Sequence, residues 1–454
     1  MSRYISALLL TACCALWSFP LLSAQADEPP ADLLTETQTD VPPTSILDSL
    51  QQTFAVHGAL RQETAYRVGH SGEWTKIRQQ VQLSESGALT DDLKFYASQR
   101  GRYDAVYDLT DNYPETVESD QEWESDVRET YLDYSSGEMD VRLGKQQIVW
   151  GDAVGLFFAD VVNAKDLREF ILPDFDQIRI PQWAVDLELS HDDAHAEFVW
   201  LPVREFHHLG VSGSEFEFPL PAPVGARTNY TDPSKPAPNM ASSEAGLRLS
   251  YLLGGWDMSA FYFYTWDKFP VLYRSITGGV YDFMPEYRRA NLLGASFSKA
   301  LGEVVLKGEA VLNPQAYLST LDPTDPDGVL HRTTLDYLVG ADYTWFDRVE
   351  TNVQILQRVV SHLNDSIPNE KEWRTHLSVR AKTDFLNGKV EPECLIIFGL
   401  SEWGDLMIRP KVTTRLRENL EWRVGADILQ GEPTSVFGRF NRNSRLYTEL
   451  SYHF

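Results

Sequence analysis

Basic residues occupy alternate positions in several stretches of the chain, which places them on one face of an extended strand. A column of Lys and Arg along the wall of a pore can draw anions through it, as rings of charge do in selective channels. The alternative is that these cations only neutralise acids on neighbouring strands, because exposed ion pairs are common and individually weak. The basic columns comprise Lys76, Arg78, Lys94, Arg100, Arg374, Arg380, Lys382, Arg409, Lys411, Arg415 and Arg417.

A second charged feature is acidic, with nine Asp and Glu and no Lys or Arg between Asp104 and Asp126. Carboxylates suit Ca²⁺, but the D-x-D-x-D-G spacing of a calcium loop does not occur in this run. We therefore interpret the run as a solvated acidic loop, with Ca²⁺ binding as the alternative. The sequence predicts no metal site and no cofactor.

The elements that would position these charges are strands. From about residue 52 onward, ten to fourteen residues of period-two alternation are followed by a turn, and the unit repeats. Short turns alternate with long connections, which is typical of a membrane barrel with short periplasmic turns and long external loops. The sequence predicts an all-β, antiparallel, up-and-down transmembrane barrel over 52–454, with about eighteen strands, or sixteen as the alternative.

The N-terminal segment predicts export. Residues 1–26 combine a basic start, an apolar middle and an Ala24-Gln25-Ala26 cleavage site, and we interpret them as a cleaved signal peptide. A lipoprotein box ending at Cys13 is the alternative. Residues 27–51 are rich in Pro and acids, and we interpret them as a disordered periplasmic linker.

The end of the chain also favours the bacterial outer membrane. Leu450, Tyr452 and the last residue, Phe454, share one face of a strand predicted over 442–454. Such a strand ending in Phe resembles the signal that the barrel assembly machinery recognises. An ordinary amphipathic edge strand is the alternative.

Composition excludes some classes of protein. The net charge of −26 argues against nucleic-acid binding, which needs clustered cations. Aromatic residues make up 12% of the chain, which suits aromatic girdles at two membrane interfaces. We find no Ser-His-Asp arrangement in the context that a hydrolase needs, so the sequence predicts no enzyme.

The most informative stretch is 142–183, which reads RLGKQQIVWGDAVGLFFADVVNAKDLREFILPDFDQIRIPQW. Its segments LGKQQIVWGD, DVVNAKDLREF and RIPQW resemble the hallmark of a domain-of-unknown-function family of large proteobacterial outer-membrane proteins, often encoded beside RND-type lipid exporters. The resemblance implies passage of hydrophobic or amphipathic molecules across the outer membrane. It also makes an RND-type exporter a candidate partner.

The residues of this stretch predict a strand over 138–149 and then an external connection over 150–180. This connection is rich in apolar residues. We do not expect it to extend into water, because a large exposed apolar patch is unusual on a protein surface. We expect it to fold into the barrel mouth and form a constriction, or, as the alternative, only to brace the wall through pairs of Arg168 and Arg179 with Asp160 or Asp166. The constriction residues are Trp150, Asp152, Phe157, Phe158, Asp160, Asn163, Asp166, Arg168 and Arg179.

Together these features predict an outer-membrane channel or transport barrel for amphipathic, hydrophobic or anionic organic molecules. The alternatives are a structural or adhesive barrel and, less favoured, an outer-membrane lipid hydrolase. The predicted partners are outer-membrane lipids and lipopolysaccharide, the barrel assembly machinery and a small-molecule solute, and not nucleic acid.

Overall fold

A computed structural model describes residues 54–454, apart from 70–71, 152–157, 219, 222, 224, 364–366 and 369. The predicted signal peptide (1–26) and linker (27–51) lie outside the described residues. Eighteen strands form one hydrogen-bonded sheet, which confirms the predicted strand number.

Each strand of this sheet pairs antiparallel with the next one along the chain. The first strand also pairs antiparallel with the last, from Ala59–His453 to Arg67–Arg445, so the sheet closes into a barrel as predicted. The strands are β1 (Phe54–Arg67), β2 (Trp74–Ala88), β3 (Leu93–Asp104), β4 (Trp123–Ser136), β5 (Met139–Gln146), β6 (Gln182–His191), β7 (Ala194–Leu201), β8 (Glu244–Leu253), β9 (Trp256–Trp266), β10 (Arg289–Leu301), β11 (Val304–Ser319), β12 (Val329–Trp345), β13 (Val349–Val360), β14 (Trp373–Lys382), β15 (Val390–Gly399), β16 (Leu406–Arg417), β17 (Leu420–Gln430) and β18 (Arg445–His453).

Side chains alternate between the two faces of the wall, as the period of a strand requires. In β9, Phe261 and Phe263 are buried in the bore, whereas Tyr262 and Tyr264 are exposed on the outside. The exposed outward face is apolar around the barrel, as at Leu247, Leu249, Val353, Ile355, Val412, Val424, Leu446 and Leu450. An apolar surface of this extent indicates a wall that faces hydrocarbon.

The connections differ systematically in length at the two ends of the barrel. After even-numbered strands they are short, at 89–92, 137–138, 192–193, 254–255, 302–303, 346–348, 383–389 and 418–419. After odd-numbered strands most are longer, at 68–73, 105–122, 147–181, 202–243, 267–288, 320–328, 361–372, 400–405 and 431–444. This alternation matches the predicted pattern of short turns and long loops.

Short elements lie within the longer connections. Helices α1 (Val106–Leu109) and α2 (Glu115–Gln121) lie in the acidic run, and α3 (Phe175–Ile178) lies in connection 147–181. The 3₁₀ turns are Met240–Ser242 and Gly438–Phe440. Strands Arg227–Tyr230, Val271–Thr277 and Val280–Glu286 form a separate sheet, and Ala164–Lys165 pairs with Arg179–Ile180. None of the helices in the described part of the chain is long and apolar enough to cross a membrane.

One predicted strand ends earlier than expected. The sequence predicted a strand over 138–149, but β5 ends at Gln146. Ile148 and Trp150 leave the sheet and are almost fully buried, at 3% and 1% exposure, in an apolar cluster with the connection that follows. Tertiary packing therefore overrides the local strand pattern at these residues.

Two apolar clusters lie inside the barrel and join loops to the wall. We call the first the apolar anchor; it comprises Ile148, Trp150, Ala159, Val162, Ala184, Val199, Leu201, Phe261, Phe263 and Val311. The second comprises Phe170, Leu172, Phe216, Ile397, Met407, Leu429, Phe437 and Phe440. The barrel therefore has packed cores within its bore, both built on connection 147–181.

Candidate functional site

The described residues of connection 147–181, which we call the lumen segment, lie inside the barrel. It enters the bore at Trp150, whose indole Nε1 donates a 2.7 Å hydrogen bond to Glu197 on β7. The same indole packs against Phe261 and Phe263 on β9, with ring centroids 5.0 and 5.6 Å away. A hydrogen-bonded, fully packed Trp fixes the start of the segment on this side of the wall.

The segment is next fixed by a single carboxylate on β11. Glu309 accepts hydrogen bonds from the backbone N–H of Phe158 at 3.3 Å and of Ala159 at 3.0 Å. The side chain of Glu309 is 5% exposed, so these bonds lie within the bore and are screened little by solvent.

Farther along, Glu169 forms what we call the charged anchor with Lys76, Arg78 and Arg445. Its carboxylate bonds Lys76 Nζ, lies 2.5 Å from Arg78 Nη1 and lies 3.2 Å from Arg445 Nη2. Burial alone would raise the pKa of Glu169, but Lys76, Arg78 and Arg445 outweigh it and hold the pKa well below its usual range. Glu169 is therefore a buried, ionised carboxylate surrounded by three cationic side chains.

These contacts place the segment across the whole bore. In a ring of eighteen strands, β2 and β11 are nine places apart and so face each other. The segment is bonded to β11 at Ala159 and to β2 at Glu169. The residues between them therefore run from one wall to the opposite one.

The predicted constriction residues fall into three groups in the structure. Trp150, Phe158 and Asn163 lie in or beside the apolar anchor, where Asn163 accepts a bond from the Ile148 N–H at 3.2 Å. Arg179 and Asp160 pair at 3.0 Å, and Arg168 and Asp166 pair at 2.6 Å, which are the pairs of the predicted brace. Asp152 and Phe157 lie outside the described residues.

Arg168 also contacts the wall, so the ion pairs of the segment are not confined to its own residues. Its Nη2 lies 3.0 Å from Glu124 on β4, and Arg102 on β3 lies 3.5 Å from Asp166. Arg128 on β4 donates to the backbone carbonyls of Asp176 at 2.7 Å and Arg179 at 2.8 Å. The segment is thus tied to the wall at many points besides its two anchors.

Most of the predicted basic columns are paired with acids. Nine members lie in ion pairs: Lys76 and Arg78 with Glu63 and Glu169, Arg100 with Asp126, Arg374 with Glu370 and Glu402, Arg380 and Lys411 with Glu393, Lys382 and Arg415 with Glu391, and Arg409 with Asp427. Within the described ranges, Lys94 and Arg417 form no ion pair. The geometry agrees with the alternative in which these cations neutralise acids of the bore.

Arg417 also departs from its predicted face. A register shift lies between Arg415 and Arg417, so that Arg415 is opposite Glu421 but Arg417 is opposite Leu420. Leu420 in turn faces Tyr452, which is exposed on the outer surface. Strict alternation, on which the prediction for Arg417 rested, fails at a β-bulge because the bulge adds one residue to the strand.

The predicted assembly residues lie at the seam that closes the barrel. Leu450 and Tyr452 are exposed outward, and the ring of Phe454 covers Gly58 on β1. Gly58 and Phe454 exchange two backbone hydrogen bonds, at 2.7 and 2.9 Å. A Cβ at Gly58 would lie 2.2 Å from Phe454 Cζ, so this close contact requires glycine.

A small cavity of about 90 Å³ remains between the lumen segment and the wall. Its lining is mostly charged, including Glu169, Arg409, Arg423 and Asp427, but Leu172 and Pro173 also border it. Leu172 belongs to the second apolar cluster. The cavity therefore offers charged groups beside an apolar surface.

A second connection, 202–243, also enters the bore. Phe216 is fully buried, and the Arg445 guanidinium lies over its ring at 5.5 Å. His207 Nδ1 accepts a 2.8 Å bond from the Lys165 N–H. Burial, together with Lys165 and Lys268, holds the pKa of His207 well below its usual range, so the ring is neutral and accepts this bond.

One cluster among the described residues has the composition of a metal site. His376, Glu402 and Asp405 each offer a ligand atom, and these atoms lie within 4.8 Å of one another. Lys371 and Arg374, however, lie 3.3 and 3.8 Å from Glu402 and balance its charge. We interpret the cluster as an ion-pair contact between connections, and the absence of a metal site stays a prediction.

Sequence reasoning missed the residues that matter most for the anchors. It named neither Glu169 nor Glu309, because each is one acid in an amphipathic stretch with no motif around it. A signal was nevertheless present for Glu169, because this acid directly precedes the apolar run Phe170–Leu172. It also missed Phe216, since partners so distant in sequence leave no local pattern.

Comparison with solved structures finds barrels of similar size. Salmonella typhi OmpF in complex with daunomycin is 11% identical, with 88% of this chain and 97% of that chain covered and a TM-score of 0.42. Vibrio cholerae OmpT, an outer-membrane protein, is 11% identical, with 88% and 99% covered and a TM-score of 0.45. A mutant of the Rh. blastica porin is 12% identical, with 88% and 100% covered and a TM-score of 0.41.

Comparison with curated proteins finds no match. A family model described as a protein of unknown function, DUF1302, matches residues 71–387. The matched range includes the LGKQQIVWGD stretch and both anchors' contributions from the lumen segment. Because it spans well over half of the sequence, the chain belongs to the DUF1302 family.

Proposed function

We propose that this chain is an outer-membrane transport barrel for amphipathic organic molecules, and that the lumen segment narrows its bore. The observation that carries the proposal is the path of the segment, which is bonded to Glu309 on one wall and to Lys76, Arg78 and Arg445 on the other. A segment that crosses the bore at two anchored points leaves less room for a solute than an open porin channel would.

The location in the outer membrane rests on the wall itself. Its strands form a closed ring, and its outward side chains are apolar and exposed, as at Leu249, Ile355 and Val412. Closure satisfies the backbone hydrogen bonds that an open sheet would leave bare in hydrocarbon. The apolar face then requires a lipid environment.

The amphipathic nature of the solute rests on the lining of the bore. The cavity beside the lumen segment joins charged residues such as Arg409 and Asp427 to the apolar side chain of Leu172. At about 90 Å³ the cavity has room for the ionic head of an amphipathic molecule and a short apolar group beside it, and the rest of the molecule would lie in the open bore. Because the basic columns are largely paired with acids, we do not extend the proposal to small inorganic anions. An RND-type exporter remains a predicted partner on the family resemblance alone.

The test is single-channel recording of the refolded full chain. Removal of residues 153–173 takes away Glu169 and the contacts of Phe158 and Ala159, and should raise conductance several-fold. The matched control shortens the tip of the hairpin at Gly278 and Gly279, whose residues belong to neither anchor, and should leave conductance unchanged. If both variants conduct like the unaltered barrel, the segment is only a brace and the constriction is refuted.

A further inference from the structure

One guanidinium lies on the outer face of the wall, at the end of the barrel that carries the long connections. Arg289 is the first residue of β10 and lies opposite Trp266, the last residue of β9. Because faces alternate along a strand, both residues share the outer face with Tyr264 and Leu293, which are exposed. The long connections of such barrels are external. Arg289 is therefore a cation at the external edge of the lipid-facing wall.

Aromatic rings and backbone carbonyls hold Arg289 in place. Its guanidinium carbon lies 4.4 Å from the centre of the Tyr264 ring and 4.2 Å from that of Trp266. Its Nη1 donates to the Ser243 carbonyl at 2.8 Å, and its Nη2 donates to the Ala241 carbonyl at 2.6 Å. Exposed Tyr and Trp rings mark the level of lipid headgroups. Since arginine has five N–H donors, further donors remain for a headgroup acceptor at that level.

A second guanidinium lies beside the first. Arg204 follows β7, donates to the Pro236 carbonyl and lies near enough to Arg289 for the two charges to repel each other. Within the described ranges, neither guanidinium forms an ion pair with a carboxylate. In a chain with a net charge of −26, two neighbouring cations without an acid indicate a place for an anion that the chain itself does not supply.

Two carboxylates at this end of the barrel could have served as partners but are paired with other cations. Glu244, the first residue of β8, is fully buried and lies 2.8 Å from Lys268 Nζ. Glu286 lies 2.9 Å from Arg288, the residue just before β10. The neighbouring residues Arg288 and Arg289 thus differ in one respect that matters here, because only Arg288 has an acid as its partner.

The outer wall below Arg289 is apolar. Leu249 on β8 and Leu293 on β10 are exposed on this face, as the chains of a bound lipid require. A cation at the external edge is not a general feature of the wall, since at the closing seam the corresponding outward pair is Tyr66 and Leu446. This sector therefore combines cations at headgroup level with an apolar surface beneath them.

We propose that Arg289 and Arg204 form a binding site for a phosphate group of lipopolysaccharide in the outer leaflet, with its acyl chains on the apolar wall of β8 to β10. A guanidinium fork matches phosphate oxygens, and one phosphate between two guanidinium groups removes their repulsion. The aromatic rings favour a lipid phosphate over a soluble one, because they place the cations at headgroup level. The proposal rests on the outer-membrane location proposed above and is independent of the transport function.

The test is native mass spectrometry of the full chain in detergent, titrated with lipid A, the phosphorylated glycolipid part of lipopolysaccharide. The comparison lipid is the same lipid A after removal of its phosphates. The phosphorylated form should bind about tenfold or more tightly, because only it can bond to the guanidinium groups. Inorganic phosphate at the same concentration should not displace it, since the free ion lacks acyl chains.

Three substitutions locate the phosphate. Arg289→Gln should weaken the binding of phosphorylated lipid A about tenfold, whereas Arg289→Lys keeps the charge without the fork and should lose less. Arg204→Gln removes one carbonyl contact and should weaken binding several-fold. The matched control is Arg288→Gln, which removes the same charge from the neighbouring position, where Glu286 already pairs with it. Heat-modifiable migration on a gel checks that each variant is folded.

Several results would overturn the proposal. Equal binding of the two forms of lipid A would mean that the wall recognises acyl chains alone. Equal losses in Arg288→Gln and Arg289→Gln would mean that surface charge attracts the lipid without a site. Displacement by inorganic phosphate would mean that the pair binds a soluble anion. These outcomes are separable from failure of the transport proposal, because conductance of the barrel lacking 153–173 is measured with Arg204 and Arg289 unaltered.

Discussion

The two anchors hold one segment to opposite walls by different physics. The apolar anchor around Trp150 depends mainly on close packing, which responds little to salt and pH. The charged anchor around Glu169 depends on direction, protonation and complete pairing. A change of salt or pH therefore acts mainly on the charged anchor, whereas a substitution can weaken either end.

The largest expected effect comes from breaking the apolar anchor with Trp150→Ala. The side chain is 1% exposed, and its removal leaves a cavity and takes a donor from Glu197. We expect a loss of about 3–5 kcal/mol in the free energy of unfolding, together with a rise in conductance. Urea titration and single-channel recording check this. The control Trp403→Ala removes an indole that is 85% exposed, and equal losses in the two variants would contradict the comparison.

A somewhat smaller effect should follow from Glu169→Gln, which breaks the charged anchor. Removing one member of a buried ion pair costs roughly 3–5 kcal/mol, and we expect the lower end, about 3 kcal/mol. The reason is that Glu63, Asp104 and Asp427 remain to pair with the three cations. Glu138→Gln is the matched control, since that acid is 68% exposed on a short turn and should cost less than about 0.5 kcal/mol. Similar urea midpoints for the two variants would mean that Glu169 does not stabilise the docked segment.

The double variant Trp150→Ala with Glu169→Gln measures whether the anchors act together. If the segment docks as one unit, each single change already frees part of it, and the losses should fall short of their sum by about 1 kcal/mol. Conductance of the double variant should likewise exceed that of either single variant only modestly. Losses that add within about 0.5 kcal/mol would mean that each end docks independently.

The smallest expected effect concerns pH. Burial raises the pKa of Glu215 to about 7, although Arg445 and Arg67 act in the opposite direction. Between the ordinary value of 4.5 and about 7 the folded chain binds the extra proton, so stability should fall as pH rises through that range. Glu215→Gln should flatten the change in thermal midpoint between pH 5 and pH 8, whereas Glu138→Gln should not. An unaltered pH profile would show that Glu215 does not titrate there.

The fold was predictable because its signals are local. Alternation, turn residues and the order of short and long connections each depend on neighbours in sequence, and all eighteen strands followed from them. There are two exceptions. The bulge that turns Arg417 is a local irregularity that alternation ignores, and the early end of β5 at Gln146 is imposed by tertiary packing.

The site was predictable only in part. The apolar content of 150–180 indicated that the loop turns inward, but not where it attaches. Glu309 lies 150 residues from Ala159, and Arg445 lies 276 residues from Glu169. Such contacts depend on the closed ring that brings the two ends of the chain together, and no spacing in the sequence encodes them.

The path of the lumen segment from β11 to β2 has a mechanical consequence for the ring itself. A wide barrel with water in its bore can flatten into an ellipse at little cost, because bending the wall breaks none of its backbone hydrogen bonds. A strut fixed at Ala159 and at Glu169 holds one diameter at constant length. Lateral pressure from the bilayer would then load these two attachments directly. A change in the cross-section of the barrel would therefore strain the docking of the segment, and undocking would let the cross-section change.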